Sequence, residues 1–128
     1  MSRKLLALLS APLAIACSPI SDEAEKIAGN YYIPEVSDTT PLMELHTDGT
    51  CVVRAIRQDV LTYSVEGHWD VKRDSLLIDL IPSTLQWEGD ENLIGDIPVR
   101  LGKKVLSFTN GQLSLESEGI NYVYHLRK

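Results

Sequence analysis

Three histidines, two cysteines and a group of aspartates are the residues of this chain whose types could do chemistry. His46, His68 and His125 could be gathered by folding into a metal site, since neutral imidazole is a common ligand. No His-x-His or Cys-x-x-Cys stands beside them, and each falls on the wet side of its strand in the alternation described below, so solvated surface histidines are expected. Asp70, Asp74 and Asp79 flank one hairpin, where paired carboxylates could perform acid–base work. They occupy polar strand and turn positions with no base-and-nucleophile arrangement around them, and solvation with turn chemistry accounts for them. Cys51 sits in the apolar run Cys51-Val52-Val53 and reads as a small buried hydrophobe rather than a reactive thiol. The sequence contains no glycine-rich phosphate loop and no nucleophile elbow. A non-enzymatic protein without metal or cofactor is expected.

The elements that would position these residues are short strands. From residue 27 onward, alternating runs are separated by turn residues at roughly ten-residue spacing, the pattern of an antiparallel all-β domain. Gly29-Asn30-Tyr31-Tyr32-Ile33 opens a first strand that Pro34 ends. Asp48-Gly49 between two β-prone runs, 42–46 and 51–57, predicts a hairpin. The clearest alternation covers 62–72, with Tyr63, Val65, Gly67, Trp69 and Val71 on one face and Thr62, Ser64, Glu66, His68, Asp70 and Lys72 on the other. A turn at 72–75 follows, and Leu76, Ile78 and Leu80 resume the inward face.

Between Pro82 and Gly95 the pattern is weak, with a short strand expected on either side of a tip at 88–92. Ile97, Val99 and Leu101 suggest one more strand before Gly102-Lys103-Lys104, and 105–109 and 112–117 form a hairpin about Asn110-Gly111. Ile120, Tyr122, Tyr124 and Leu126 line one face of the last strand. The fold class expected is all-β: a single antiparallel meander barrel of about eight strands, favoured over a sandwich because closure pairs the two edge strands. Its inward residues are Met43, Leu45, Tyr63, Val65, Trp69, Leu76, Ile78, Leu106, Phe108, Leu113, Leu115, Tyr122 and Tyr124. Of these, Tyr63, Val65, Trp69, Leu76, Ile78, Phe108, Tyr122 and Tyr124 would either fill the core or line a site for one small hydrophobic ligand.

The N-terminus carries a different message. Arg3 and Lys4 precede an apolar stretch from 5 to 16, the layout of a secretory signal. It ends in Leu13-Ala14-Ile15-Ala16-Cys17, which resembles the bacterial lipobox, whose Cys is acylated before the signal is cut; Ala14-Ile15-Ala16 also fits a plain signal peptidase site. The expected organisation is a signal over 1–16, a lipid-bearing Cys17 with a flexible tether over 17–26, and the barrel over 27–128. Cleavage before Cys17 would leave 112 of the 128 residues, with 10 basic against 18 acidic side chains and a formal charge of −8. Such a chain is repelled by phosphate backbones, so nucleic acid is not an expected partner, and membrane attachment would come from acyl chains. Ser18 lacks the acidic residue of inner-membrane lipoproteins, a resemblance that implies the outer membrane of a bacterial cell envelope.

Gly29-Asn30-Tyr31, Asp48-Gly49-Thr50, Gly67-His68-Trp69 with Arg73-Asp74-Ser75-Leu76, and the closing Tyr122-to-Arg127 strand together resemble the small lipocalin-like lipoproteins of bacteria. The resemblance implies that Tyr31 closes one end of the barrel and that Arg127 packs across it by cation–π attraction. It also implies a small hydrophobic ligand. The alternative is an interaction or inhibitor protein with a packed barrel, whose acidic exterior engages a protein partner.

Overall fold

The computed structural model describes residues 20–127. The expected signal and Cys17 lie outside the described residues. One short helix, α1 (Asp22–Ile27), precedes eight strands: β1 (Gly29–Tyr32), β2 (Met43–Leu45), β3 (Thr50–Arg57), β4 (Leu61–Lys72), β5 (Ser75–Gly89), β6 (Arg100–Thr109), β7 (Gln112–Ser117) and β8 (Ile120–Arg127). Each strand pairs antiparallel with the next, and β8 returns to β1 through Tyr31 opposite Leu126, closing the barrel. This is an up-and-down barrel, in which every strand has a neighbour on both sides.

The two-residue periodicity decides the core. Along β4, Val65, Trp69 and Val71 are buried, and Leu76, Ile78 and Leu80 continue the same face on β5. The Asp48-Gly49 hairpin forms as expected, with Leu45 opposite Cys51 and both buried. Asn110 and Gly111 adopt φ of 53° and 74° between β6 and β7, as a two-residue hairpin of this hand requires.

Three elements depart from the sequence expectation. The described part of the segment expected as a flexible tether, from Ile20 onward, is folded: Ser21 caps α1 by accepting the Ala24 N–H at 3.2 Å, and Ile20, Ala24 and Ile27 are buried in the core. The helix seals the end of the barrel where β1 begins, and single-strand periodicity does not reveal an apolar side so short.

The region around Pro82 is one strand rather than two. β5 runs through it because β6 pairs only with Ser75 to Asp79, so Pro82 is not needed as a donor there. Opposite β4 the register jumps from Ile81 (against Glu66) to Gln86 (against Ser64), and Thr84 Oγ1 accepts the Glu66 N–H left over, at 2.8 Å.

β6 begins at Arg100 and continues through Gly102-Lys103-Lys104 to Thr109, merging two expected strands. A bulge between Val105 and Ser107 then reverses the alternation. As a result Leu106, expected inside, is 43% exposed, while Val105 and Phe108 pack against the core.

Candidate functional site

The meander gives the barrel two unlike ends. The β2–β3, β4–β5 and β6–β7 turns surround the end that α1 seals. The β1–β2 loop, the β3–β4 turn, the residue 90–99 connection and the β7–β8 turn frame the other end, the mouth. Inside the mouth, Val53, Ala55, Tyr63, Val65, Leu80 and Leu101 from four consecutive strands line a pocket of about 90 Å³, roofed by Ile97 and Pro98. β4 and β5 project past β6, so Trp87 stands directly opposite Tyr63 and is 48% exposed at the rim. A site that encloses a drug-sized ligand usually measures about 300–1,000 Å³. A pocket this small has room for only a few carbon atoms.

The eight candidate lining residues divide accordingly. Tyr63 and Val65 line the pocket. Trp69, Leu76 and Ile78 fill the core toward α1, and the Trp69 indole N–H donates to the His46 carbonyl at 2.8 Å, pinning the β2–β3 turn. Phe108 packs against this core from β6. Tyr122 and Tyr124 form a tilted ring pair with centroids 6.5 Å apart on β8.

The barrel-closing pair is corrected by one position. Tyr31 points inward, fully buried, and its hydroxyl donates to the Ile27 carbonyl at 2.6 Å, tying β1 to the end of α1. Arg127 is on the outer face, where its guanidinium lies 4.6 Å from the Tyr32 ring centre and donates to the Asp38 carbonyl at 2.7 Å. Adjacent strand residues face opposite ways, so a cation outside the barrel reaches Tyr32 and not Tyr31.

The polar candidates stay apart. His46 and His68 border one outer-wall cleft of about 420 Å³ with Thr50, Val52, Glu66 and Ile81, while His125 lies opposite Tyr32 and Gln112. His46 is more fixed than a solvated histidine, because its ring nitrogens lie 2.9 Å from Thr50 Oγ1 and 3.3 Å from Glu44. Thr50 donates in turn to Asp48 at 2.6 Å, which makes this chain the hydrogen bonding of the hairpin turn. Among the described residues, no three His, Cys, Asp or Glu side chains meet as metal ligands would. Burial, with the charge of Asp79 second, pushes the Cys51 thiol up to about 11, which keeps it an unreactive core residue.

Asp70, expected as solvated, accepts the Ser21 N–H at 2.9 Å and helps dock α1. Sequence reading also missed Ile97 and Pro98 over the mouth pocket, Trp87 opposite Tyr63, and Lys103 on the inner face of β6. For Lys103 a signal existed: extending one strand through 101–105 puts Leu101, Lys103 and Val105 on a single face.

Models of known families give no match to this chain, and neither do curated proteins. Among solved structures, it is similar to a lipocalin-like protein from Bacteroides uniformis, with 18% identity, 79% of this chain and 98% of that chain covered, and a TM-score of 0.44.

Proposed function

We propose that the protein is a non-enzymatic binding module of the bacterial cell envelope, anchored through acylated Cys17 at the outer membrane, whose barrel mouth takes up the apolar end of a small amphiphile. The pocket beneath Ile97 and Pro98 carries this reading: residues of four strands, apolar apart from Arg54, surround about 90 Å³ of space, and Trp87, opposite Tyr63 on the neighbouring strand, is half-exposed. The roof belongs to the 90–99 connection, which is tied near its two ends by backbone bonds from the Asp90 N–H to the Val60 carbonyl at 3.1 Å and from the Leu80 N–H to the Val99 carbonyl at 2.7 Å. Displacing that roof widens the pocket without breaking the barrel.

Tryptophan fluorescence separates this reading from a barrel that acts only through its acidic exterior. Trp69 is buried and Trp87 is not, so uptake of a chain at the rim should shift the emission of Trp87 to the blue, and Trp87→Phe should abolish the shift. Native mass spectrometry of the purified protein should show a small-molecule adduct. A ligand-free mass, unchanged emission with every amphiphile tried, and salt-sensitive capture of a protein partner would support the packed-barrel alternative.

A further inference from the structure

β5 is longer than the neighbour that covers its second side. β6 pairs with it from Ser75 to Asp79, and the last backbone bond on that side runs from the Leu80 N–H to the Val99 carbonyl at 2.7 Å. β4 continues alongside β5 as far as Leu61 opposite Gly89. The Asp90 N–H donates to the Val60 carbonyl at 3.1 Å, which fixes the phase of this ladder. Gln86 and Glu88 bond toward β4, so Trp87 and Gly89 direct their N–H and C=O groups to the other side. Among the described residues, none of these groups finds a backbone partner there. The connection that follows β5 is tied near its ends, at Asp90 and Val99, and makes no backbone bond with 85–89 between them.

An open sheet edge is normally blunted by lysine, proline or a bulge. Pro82 and the register jump before Gln86 do this for the first part of the projecting strand. The run from Leu85 to Gly89 has neither lysine nor proline, and 86–89 are exposed. Trp87 adds a half-exposed indole opposite Tyr63. Unpaired backbone groups beside an exposed aromatic are the parts by which a sheet takes up an extended peptide as a further strand.

The surrounding charge selects the occupant. Over 57–60 and 88–99 stand Asp59, Glu88, Asp90, Glu91 and Asp96 against Arg57, all exposed, and among the described residues no ion pair engages any of them. A second copy pairing edge to edge would bring two such sets of carboxylates to one seam, where like charges repel. A cationic segment would neutralise them.

We propose that the projecting end of β5 takes up an extended basic segment of a partner protein. Lysine or arginine side chains of the added strand would face Glu88 and its acidic neighbours, and its alternate apolar side chains would lie beside Trp87. The surface is on the flank of the barrel, and the inference does not rest on uptake of an amphiphile.

The test titrates the full chain into a short fluorescein-labelled peptide of alternating lysine and valine and follows fluorescence anisotropy, which does not depend on the tryptophans. The peptide should bind, and its counterpart with glutamate in place of lysine should not. Raising the salt from about 0.05 to 0.5 M should weaken binding about tenfold, because exposed charge pairs are screened. Glu88→Gln and Glu91→Gln should each weaken it about threefold. N-methylation of the peptide backbone gives a readout that charge alone would not move. At one alternate set of residues it should abolish binding, since those N–H groups bond to β5, and at the other set it should leave binding intact. No binding, equal binding of the lysine and glutamate peptides, or equal effects of the two methylation sets would overturn the proposal. A dimer in sedimentation at high salt, without peptide binding, would also overturn it and assign the edge to a second copy.

Discussion

Besides the helical bond its carbonyl accepts from the Glu25 N–H at 3.0 Å, Ser21 makes three hydrogen bonds. Its N–H donates to Asp70 at 2.9 Å, its hydroxyl donates to the Val71 carbonyl at 3.0 Å, and its oxygen accepts from Ala24 at the start of α1. Burial by itself would raise the Asp70 carboxyl, but the hydrogen bonds from Ser21 and Val71 outweigh it and hold the group below its ordinary value. A carboxyl depressed in the folded state stabilises above the unfolded value of about 4 and loses that contribution as pH falls through the folded value. Thermal melts between about pH 2 and 6 should therefore show wild type above Asp70→Asn at the upper end and the two converging in acid. A constant gap would assign the aspartate another role. Ser21→Ala should cost about 1–2 kcal/mol in urea unfolding. At this scale the sequence conveyed which residues face inward along β4, because a period of two is local. It did not convey Asp70 reaching Ser21 or Arg127 reaching Tyr32, since both depend on how distant strands meet.

Among the elements, β4 and β5 form the longest hairpin and approach each other closely at Gly67. A methyl group added at Gly67 would stand 2.1 Å from the Asp79 carbonyl oxygen, which is backbone and cannot swing aside. Gly67→Ala should accordingly destabilise by about 3 kcal/mol or more, measured as a fall in the denaturant midpoint. A loss under about 1 kcal/mol would show that the two strands can separate there. Hairpins with an Asp-Gly or Asn-Gly signal were legible in the sequence. The continuous β5 and β6 were not, because Pro82 and Gly102 read as breaks unless it is known that one lies beside an unpaired stretch and the other inside a ladder. The same misreading hid Lys103, placed in a loop by its neighbours and on the inner wall by the strand.

For the whole molecule, the closing seam is as short as the two that follow it, β1–β2 and β2–β3. β1 has four residues, and three register pairs join it to β8. Tyr31 anchors that seam from within by its buried ring and its bond to Ile27, so Tyr31→Ala should cost about 3–5 kcal/mol, a large share of the stability of a small domain. Arg127→Ala, which removes a stacked but solvent-facing cation, should cost about 1 kcal/mol or less. Comparable losses in calorimetry would mean that the outer clasp matters as much as the inner one. The barrel and its number of strands were legible because edge strands in a meander of similar hairpins demand pairing. The size of its interior was not, since the same inward residues could fill it or surround a void.

The docked helix also bears on the anchoring proposed above. Ile20 is already buried, so with a lipid on Cys17 only three chain steps, at most about 11 Å, lie between the greasy thioether and the folded wall. Were Cys17 acylated as proposed, so short a stalk would keep the sealed floor next to the bilayer and the doorway away from it. Cargo would then arrive from the aqueous compartment, and lipids of the anchoring leaflet would stay out of reach.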